Sequence, residues 1–243
     1  MLSLYNTILY QPFLNVLIFL YNTIAFNDLG LAIIFLTILM RLILFPLFHK
    51  SARHQTIMQR LQPELKKIQD LHKGSREKQT QAMLDLYKRH NVSPFSGFLF
   101  LLIQLPIMIA LYQIILKSLR PGFLSGLYSF VHAPAAINPT FLGLINLAER
   151  SIIVVVLAAL AQYFQGKLSL PKPAKDGVSD PAQKMARQMV FIGPVITLII
   201  FYNFPAAIAL YWLVTSIFSI FQQIIINRQK TDGEPGNVNQ KNI

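Results

Sequence analysis

The chain has 243 residues, 53% of them hydrophobic, a formal net charge of +12 and no cysteine. Its mean hydropathy of +0.47 points to an integral membrane protein and leaves no room for a separate large soluble domain. The missing cysteine excludes disulfides, thiolate metal sites, a cysteine nucleophile and a lipid-modified N-terminal cysteine.

Residues 1–28 carry no Lys or Arg. Within them Pro12 to Phe26 is apolar but short, and Gln11, Asn15 and Asn22 recur at helical spacing. This pattern predicts an external segment holding a helix that lies in the membrane interface. A cleaved signal peptide fits less well, because no basic region precedes the apolar one.

The first expected span is 29–48, an apolar run charged only at Arg41. A guanidinium near the centre of a spanning helix costs about 2.5–3.5 kcal/mol, so such a residue is kept where it meets water, polar groups or a bound segment. Snorkelling toward the headgroups is the alternative, since Arg41 lies about two helical turns from the expected end of the run. No Asp or Glu occurs in any apolar run of the chain, which disfavours a salt bridge within the membrane.

Residues 49–93 are polar and basic, yet Ile57, Leu61, Leu65, Ile68 and Leu71 follow helical spacing, as do Met83, Leu84 and Tyr87 beyond the turn-like Lys73-Gly74-Ser75. They predict a cytosolic helical hairpin with narrow apolar stripes. Ser93 and Pro94 read as the cap and first turn of a second span, 94–116. An external loop, 117–150, follows, broken by Pro121, Gly122, Pro134 and Pro139. The third span is 151–165 and a flexible cytosolic loop occupies 166–188, with Asp180-Pro181 as the start of a new helix. Uncharged residues from Met189 to Ile226 exceed one span, and Asn203-Phe204-Pro205 divides them into spans at 189–202 and 206–226. Residues 227–243 read as a disordered cytosolic tail.

The fold class is therefore an all-α polytopic membrane protein with five transmembrane helices. Lys and Arg gather in the loops after the first and third spans and at the start of the tail, which places the N-terminus outside and the C-terminus in the cytosol. The same loop placement explains the basic charge through anionic lipid, and interleaved Glu64, Asp70, Glu77 and Asp85 speak against nucleic-acid recognition. No cofactor is implied. The chain lacks a phosphate-cradling glycine loop and a nucleophile paired with a base in a span, and His49, His54, His72, His90 and His132 are scattered through loops without metal spacing.

Four segments in order carry a resemblance: LTILMRLILFPL, LQPELKKIQ, YKRHNVSPFSGFLFLLIQLPIMIALY and FPAAIALYWLVTSIFSIFQQ. Together they resemble the YidC family of membrane-protein insertases, with its mitochondrial and chloroplast relatives, in a minimal five-span core form. The resemblance implies a non-enzymatic insertase and chaperone in the bacterial inner membrane, with a hydrophilic groove closed on the outer side. It implies Arg41, Thr37, Trp212, Gln162 and Gln104 as substrate-contacting groove residues, with Gln165 competing for the place of Gln162. Each has a plainer role open to it: Thr37 bonded back to a helix carbonyl, Trp212 as a packing aromatic, the glutamines as links between helices. The implied partners are newly made membrane proteins, with the ribosome, the signal-recognition receptor and a Sec-type translocon as further candidates; the hairpin and the 166–188 loop are the expected surfaces for a ribosome. A small transporter using Arg41 to bind anions is the competing function; it calls for polar residues in the outer half of several spans, which looks apolar.

Overall fold

The computed structural model describes residues 2–93, 96–118, 123–170 and 181–229. Pro94, residues 171–180 with their share of the expected cytosolic loop, and the tail from 230 lie outside these.

The N-terminal helical segment comprises α1 (Leu2–Tyr5), one π turn (Asn6–Tyr10) and α2 (Gln11–Thr23), which run on continuously, with Pro12 just after the π turn. Two of the polar residues at helical spacing, Asn15 and Asn22, have protein partners. Asn15 is buried, donates to the Gly126 carbonyl at 3.1 Å and accepts from the Tyr128 amide at 2.6 Å, while Asn22 donates to the His132 carbonyl at 2.7 Å. Side chains spaced along one helix face thus dock the segment 126–132, more than a hundred residues away.

Helix α3 (Leu29–Ile43) is capped by Asp28, whose Oδ1 accepts from the Leu31 amide at 2.9 Å. The run expected as one span, 29–48, breaks after Ile43. Helix α4 (Phe45–Arg60) leaves at 73° to α3. Pro46 is the cause: it has no N–H for the Leu42 carbonyl, so the ladder is interrupted there, while the Leu44 amide keeps its bond to the Met40 carbonyl at 3.0 Å. Arg41 therefore sits in the last turn of α3, where the exposed ends of the backbone dipoles favour a cation.

Helices α5 (Gln62–Leu71) and α6 (Arg76–Arg89), joined by a turn and capped at Ser75, pack through Leu61, Leu65, Leu86 and Val92. Leu71 and Leu84, which the spacing assigned to the apolar stripes, are exposed. Leu71 ends its helix at the turn. The inward face of α6 follows Met83, Leu86 and Tyr87, three and four residues apart, and turns Leu84 outward.

Helix α7 (Ser96–Ser118) contains Pro106; a 3₁₀ turn (Phe123–Gly126) and a pair of two-residue antiparallel strands, β1 (Thr140–Phe141) and β2 (Ile145–Asn146), follow. Then come α8 (Ile152–Ser169), α9 (Pro181–Phe201) and α10 (Ala206–Gln229). The Asn203–Pro205 turn separates the last two. The first amides of α10, at Ala206 and Ala207, donate to the carbonyls of Glu149 and Leu147 at 2.7 and 3.1 Å, so the loop before α8 satisfies the start of α10.

Helix α10 packs along α8 and α3, and the N-terminal helix closes over α3 and α7. Their inner faces form one apolar core around Leu14, Ile18, Ile33, Leu111, Val155 and Ile208. The outer faces are apolar too: Ile153, Leu157 and Leu160 on α8, and Ile192, Ile196 and Ile199 on α9, are exposed. A helical body greasy on both sides is a body for lipid. Among the described residues, α8 and α10 are each long and apolar enough to cross a bilayer, and the bent α3–α4 pair is a third candidate.

Gly30 marks where α3 meets the β hairpin. A Cβ there would lie 2.2 Å from Cδ2 and 2.6 Å from Cβ of Phe141, too close to the backbone for the ring to swing away. Gly30→Ala is expected to lower unfolding stability by about 1–3 kcal/mol, read as a lower Tm in detergent. An unchanged Tm would show that the hairpin moves freely off α3.

A polar cavity around Arg41

Arg41 is 3% exposed, and its guanidinium carbon stands 4.4 Å from the centre of the Phe48 ring, a cation–π contact made across the α3–α4 bend. The bend brings the first three turns of α4 back beside Arg41, where α8 and α10 complete an enclosure. The result is a cavity of about 130 Å³ lined by Arg41, by Phe48, Ala52 and Gln55 of α4, by Gln165 and Ser169 of α8, and by Ser219, Gln222 and Gln223 of α10. Its volume and polar walls suit several water molecules.

The wall on α10 is Ser219, Gln222 and Gln223. Thr215 and Asn227, four residues before Ser219 and four after Gln223, extend this polar stripe along a helix that carries no charge before Arg228. The Ser219 hydroxyl donates to the Thr215 carbonyl at 2.9 Å. The Gln223 amide donates to Thr56 Oγ1 of α4 at 3.2 Å and to Asn227 Oδ1 at 3.1 Å, and Asn227 donates to the Leu168 carbonyl of α8 at 3.0 Å. These bonds tie three helices together around the cavity and hold its polar atoms in place. Gln222 is also on the wall, and its Nε2 atom is buried with no hydrogen-bond partner among the described residues.

The residues singled out from sequence separate into groups. Arg41 lines the cavity. Thr37, one turn earlier on α3, is buried and donates to the Ile33 carbonyl at 2.6 Å, which is the local back-bond open to it from the start. Gln104 of α7 is buried and donates from Nε2 to the Tyr211 hydroxyl, joining α7 to α10; its Oε1 has no partner among the described residues. Trp212 packs edge-on against Phe201, with ring centres 5.4 Å apart, and its indole N–H is buried without a partner among the described residues. Gln162 faces α9, accepts from Thr197 Oγ1 and lies over Gly193, so it links helices away from the cavity. Gln165, one turn onward, is the glutamine of α8 that lines the space with Arg41.

Sequence reasoning missed Gln55, Ser169 and the α10 stripe. The stripe was visible in principle: five polar side chains along a 24-residue helix with no charge before Arg228 are costly in lipid and mark a lined cavity.

Chemically the cavity offers one guanidinium fork, several amides and hydroxyls, and a low-dielectric surround. Such a fork can bind a carboxylate with two parallel hydrogen bonds, stronger here than in bulk water.

The sequence profile described as 60Kd inner membrane protein matches residues 19–233. The chain is similar to the "Membrane protein insertase YidC" of Magnetococcus marinus, with 35% identity over 93% of this chain and 36% of that protein. It is also similar to the protein of the same name from Francisella tularensis subsp. novicida, with 39% identity over 82% of this chain and 32% of that protein. The chain thus spans about a third of the length of these curated relatives. With a matching profile over most of its length and a helical body that presents apolar faces to lipid, the chain is a membrane protein and belongs to the 60Kd inner membrane protein family.

Proposed function

We propose that this chain is a membrane-protein insertase, which lowers the cost of carrying polar segments of other proteins across the bilayer. The single observation that carries this reading is the polar cavity, with Arg41 at its head, inside a body whose main core and outer faces are apolar. The names of the relatives support the same reading.

In this reading a client's polar segment enters the cavity and exchanges water for guanidinium, amides and hydroxyls. The hydrocarbon it must still cross is thin. Helix α3 has 15 residues, about 22 Å long, against roughly 30 Å of hydrocarbon. The apolar stretch of α9, Val190–Phe201, is shorter again. Short helices thin the bilayer around them. The client's apolar segment then passes into lipid, and its burial drives the reaction at about 25 cal/mol per Å². No nucleotide is required.

Five membrane crossings, with the N-terminus outside and the C-terminus in the cytosol, fit this mechanism, because they put the Arg41 end of α3 on the side from which newly made proteins arrive. The basic hairpin α5–α6 would then face the cytosol, where ribosome, signal-recognition receptor or anionic lipid could meet it. Gln165 and the α10 stripe take the wall positions, whereas Thr37, Gln104, Gln162 and Trp212 shape the helices behind it.

The test is reconstitution. Purified protein in vesicles is given a single-span client with an acidic N-terminal tail, and tail protection from added protease is measured. Protection that depends on the protein supports the insertase; protection equal to that of empty vesicles would overturn autonomous insertion.

A further inference from the structure

At the end of the molecule opposite the cavity, the chain exposes large apolar side chains on loops. Phe26 and Leu144 are each 84% exposed, Phe130 70% and Leu142 58%. Exposure on α8 or α9 needs no comment in a membrane protein. Exposure on short loops does, because a loop in water has no use for four such tips.

Two features show that the tips are held rather than left loose. Phe26 and Leu142 both adopt left-handed backbone, with φ of 51° each, a conformation bulky residues rarely take and keep only where their surroundings impose it. The surroundings are Asp28. Its Oδ1 caps α3 at the Leu31 amide, and its Oδ2 accepts from the Leu142 amide at 2.5 Å. One carboxylate therefore fixes the Phe26 loop, the β1–β2 tip and the start of α3 to each other.

The position and composition of these loops say what they meet. They adjoin the starts of three apolar helices: α3 through Asp28, α10 through the bonds from Ala206 and Ala207, and α8 through chain continuity at Ile152. Ile152 and Ile153, the first residues of α8, are themselves exposed and begin the lipid-facing surface, so the tips continue a surface already given to lipid. Positions 121–148 contain no Asp, Glu, Lys or Arg, so seating this loop among headgroups buries no charge. Aromatic and aliphatic tips on an uncharged loop suit the boundary between headgroups and acyl chains.

We propose that Phe26, Phe130, Leu142 and Leu144 form a lipid anchor seated in that boundary, and that through Asp28 it sets how deep α3 carries Arg41. Arg41 lies 13 residues after Asp28, about 20 Å along the helix. Seating the tips at one boundary thus places the guanidinium about two-thirds of the way through roughly 30 Å of hydrocarbon, near the opposite side. The anchor is a depth gauge for the cavity. It rests on the chain being a membrane protein and not on insertion activity.

The natural absence of cysteine makes the test direct. Single nitroxide labels at Phe26→Cys, Leu142→Cys and Leu144→Cys are placed in full-length protein in phosphatidylcholine–phosphatidylglycerol vesicles. Collision with oxygen, which enriches in lipid, is compared with collision with a water-soluble nickel chelate. The expected oxygen-to-nickel ratio at all three sites is several-fold above that of a label at Gly74→Cys, in the open hairpin turn. Ratios equal to the Gly74 value would mean the tips stand in water and would overturn the proposal. Low collision with both reagents would mean that protein covers the tips, and would overturn it equally. A label at exposed Leu39→Cys reports the depth of α3. In the Phe26→Ser, Leu142→Ser, Leu144→Ser background its ratio is expected to shift, and an unchanged ratio would overturn the positioning role.

Discussion

Replacing Arg41 by alanine is expected to slow insertion of a client with an acidic translocated tail by about tenfold to a hundredfold, while a client with a neutral tail changes little. The range follows from the worth of a charge-assisted hydrogen bond, about 1.5–3 kcal/mol, at about 1.4 kcal/mol per factor of ten. The protein should stay folded, because the substitution removes a buried charge, whose burial is itself costly, along with one cation–π contact to Phe48. Thermal unfolding in detergent checks this. Arg41→Lys is expected to fall between the two, since it keeps the charge but loses the planar fork that matches a carboxylate. The measurement is the initial rate of protease protection in reconstituted vesicles for the pair of clients. Equal slowing of acidic and neutral tails would make Arg41 a structural residue that holds the α3–α4 bend through Phe48, and would remove charge pairing from the mechanism.

What the sequence made legible follows from how locally each feature is determined. The Asn203-Phe204-Pro205 turn was readable because an uncharged stretch of that length must be cut somewhere, and a proline after two turn-formers is a local signal. The hairpin was readable from periodicity, but its inward face was not, since Leu84 and Leu86 both sit in apolar spacing and only packing against α5 selects the second. The break in α3 was present in Pro46 yet hidden by hydropathy, which counts proline in an apolar run as part of the run. That break matters most for the site, because it moves Arg41 from mid-helix to a helix end and folds α4 back to make a wall. The choice between Gln162 and Gln165 depended on the rotation of α8, which tertiary packing fixes: Gly193 accepts Gln162 against α9, and Gln165 follows onto the cavity. Asn15 and Asn22 show the same limit. Their spacing marked a polar face, and nothing local distinguished water or headgroups from the loop more than a hundred residues away that binds them.

The cavity's polarity should matter more than its charge. Replacing Ser219, Gln222 and Gln223 together by leucine would put hydrocarbon on the α10 wall and leave less than the present 130 Å³ or so for water. Arg41, Gln55, Gln165 and Ser169 would remain as its polar wall. A client's backbone entering it would lose hydrogen bonds to water with no replacement on the α10 side, at about 1–3 kcal/mol for each polar group left unpaired. A segment carries many such groups, so insertion of acidic and neutral clients alike is expected to fall by more than about tenfold, a pattern Arg41→Ala does not share. The substitution removes the Gln223 bonds to Thr56 and Asn227 and the Ser219 bond to the Thr215 carbonyl; Asn227 still joins α10 to α8 through the Leu168 carbonyl, while α4 is held to α10 by packing. Leucine beside Arg41 also strips the guanidinium of polar neighbours, so the variant's Tm in detergent is measured beside its rate. A folded variant that inserts the neutral client at the native rate would show that water in the cavity is not the agent. Charge alone would then remain to explain how α3 handles polar clients. A folded variant that fails with both clients would identify the α10 stripe, more than the single arginine, as the surface that replaces water for a segment in transit.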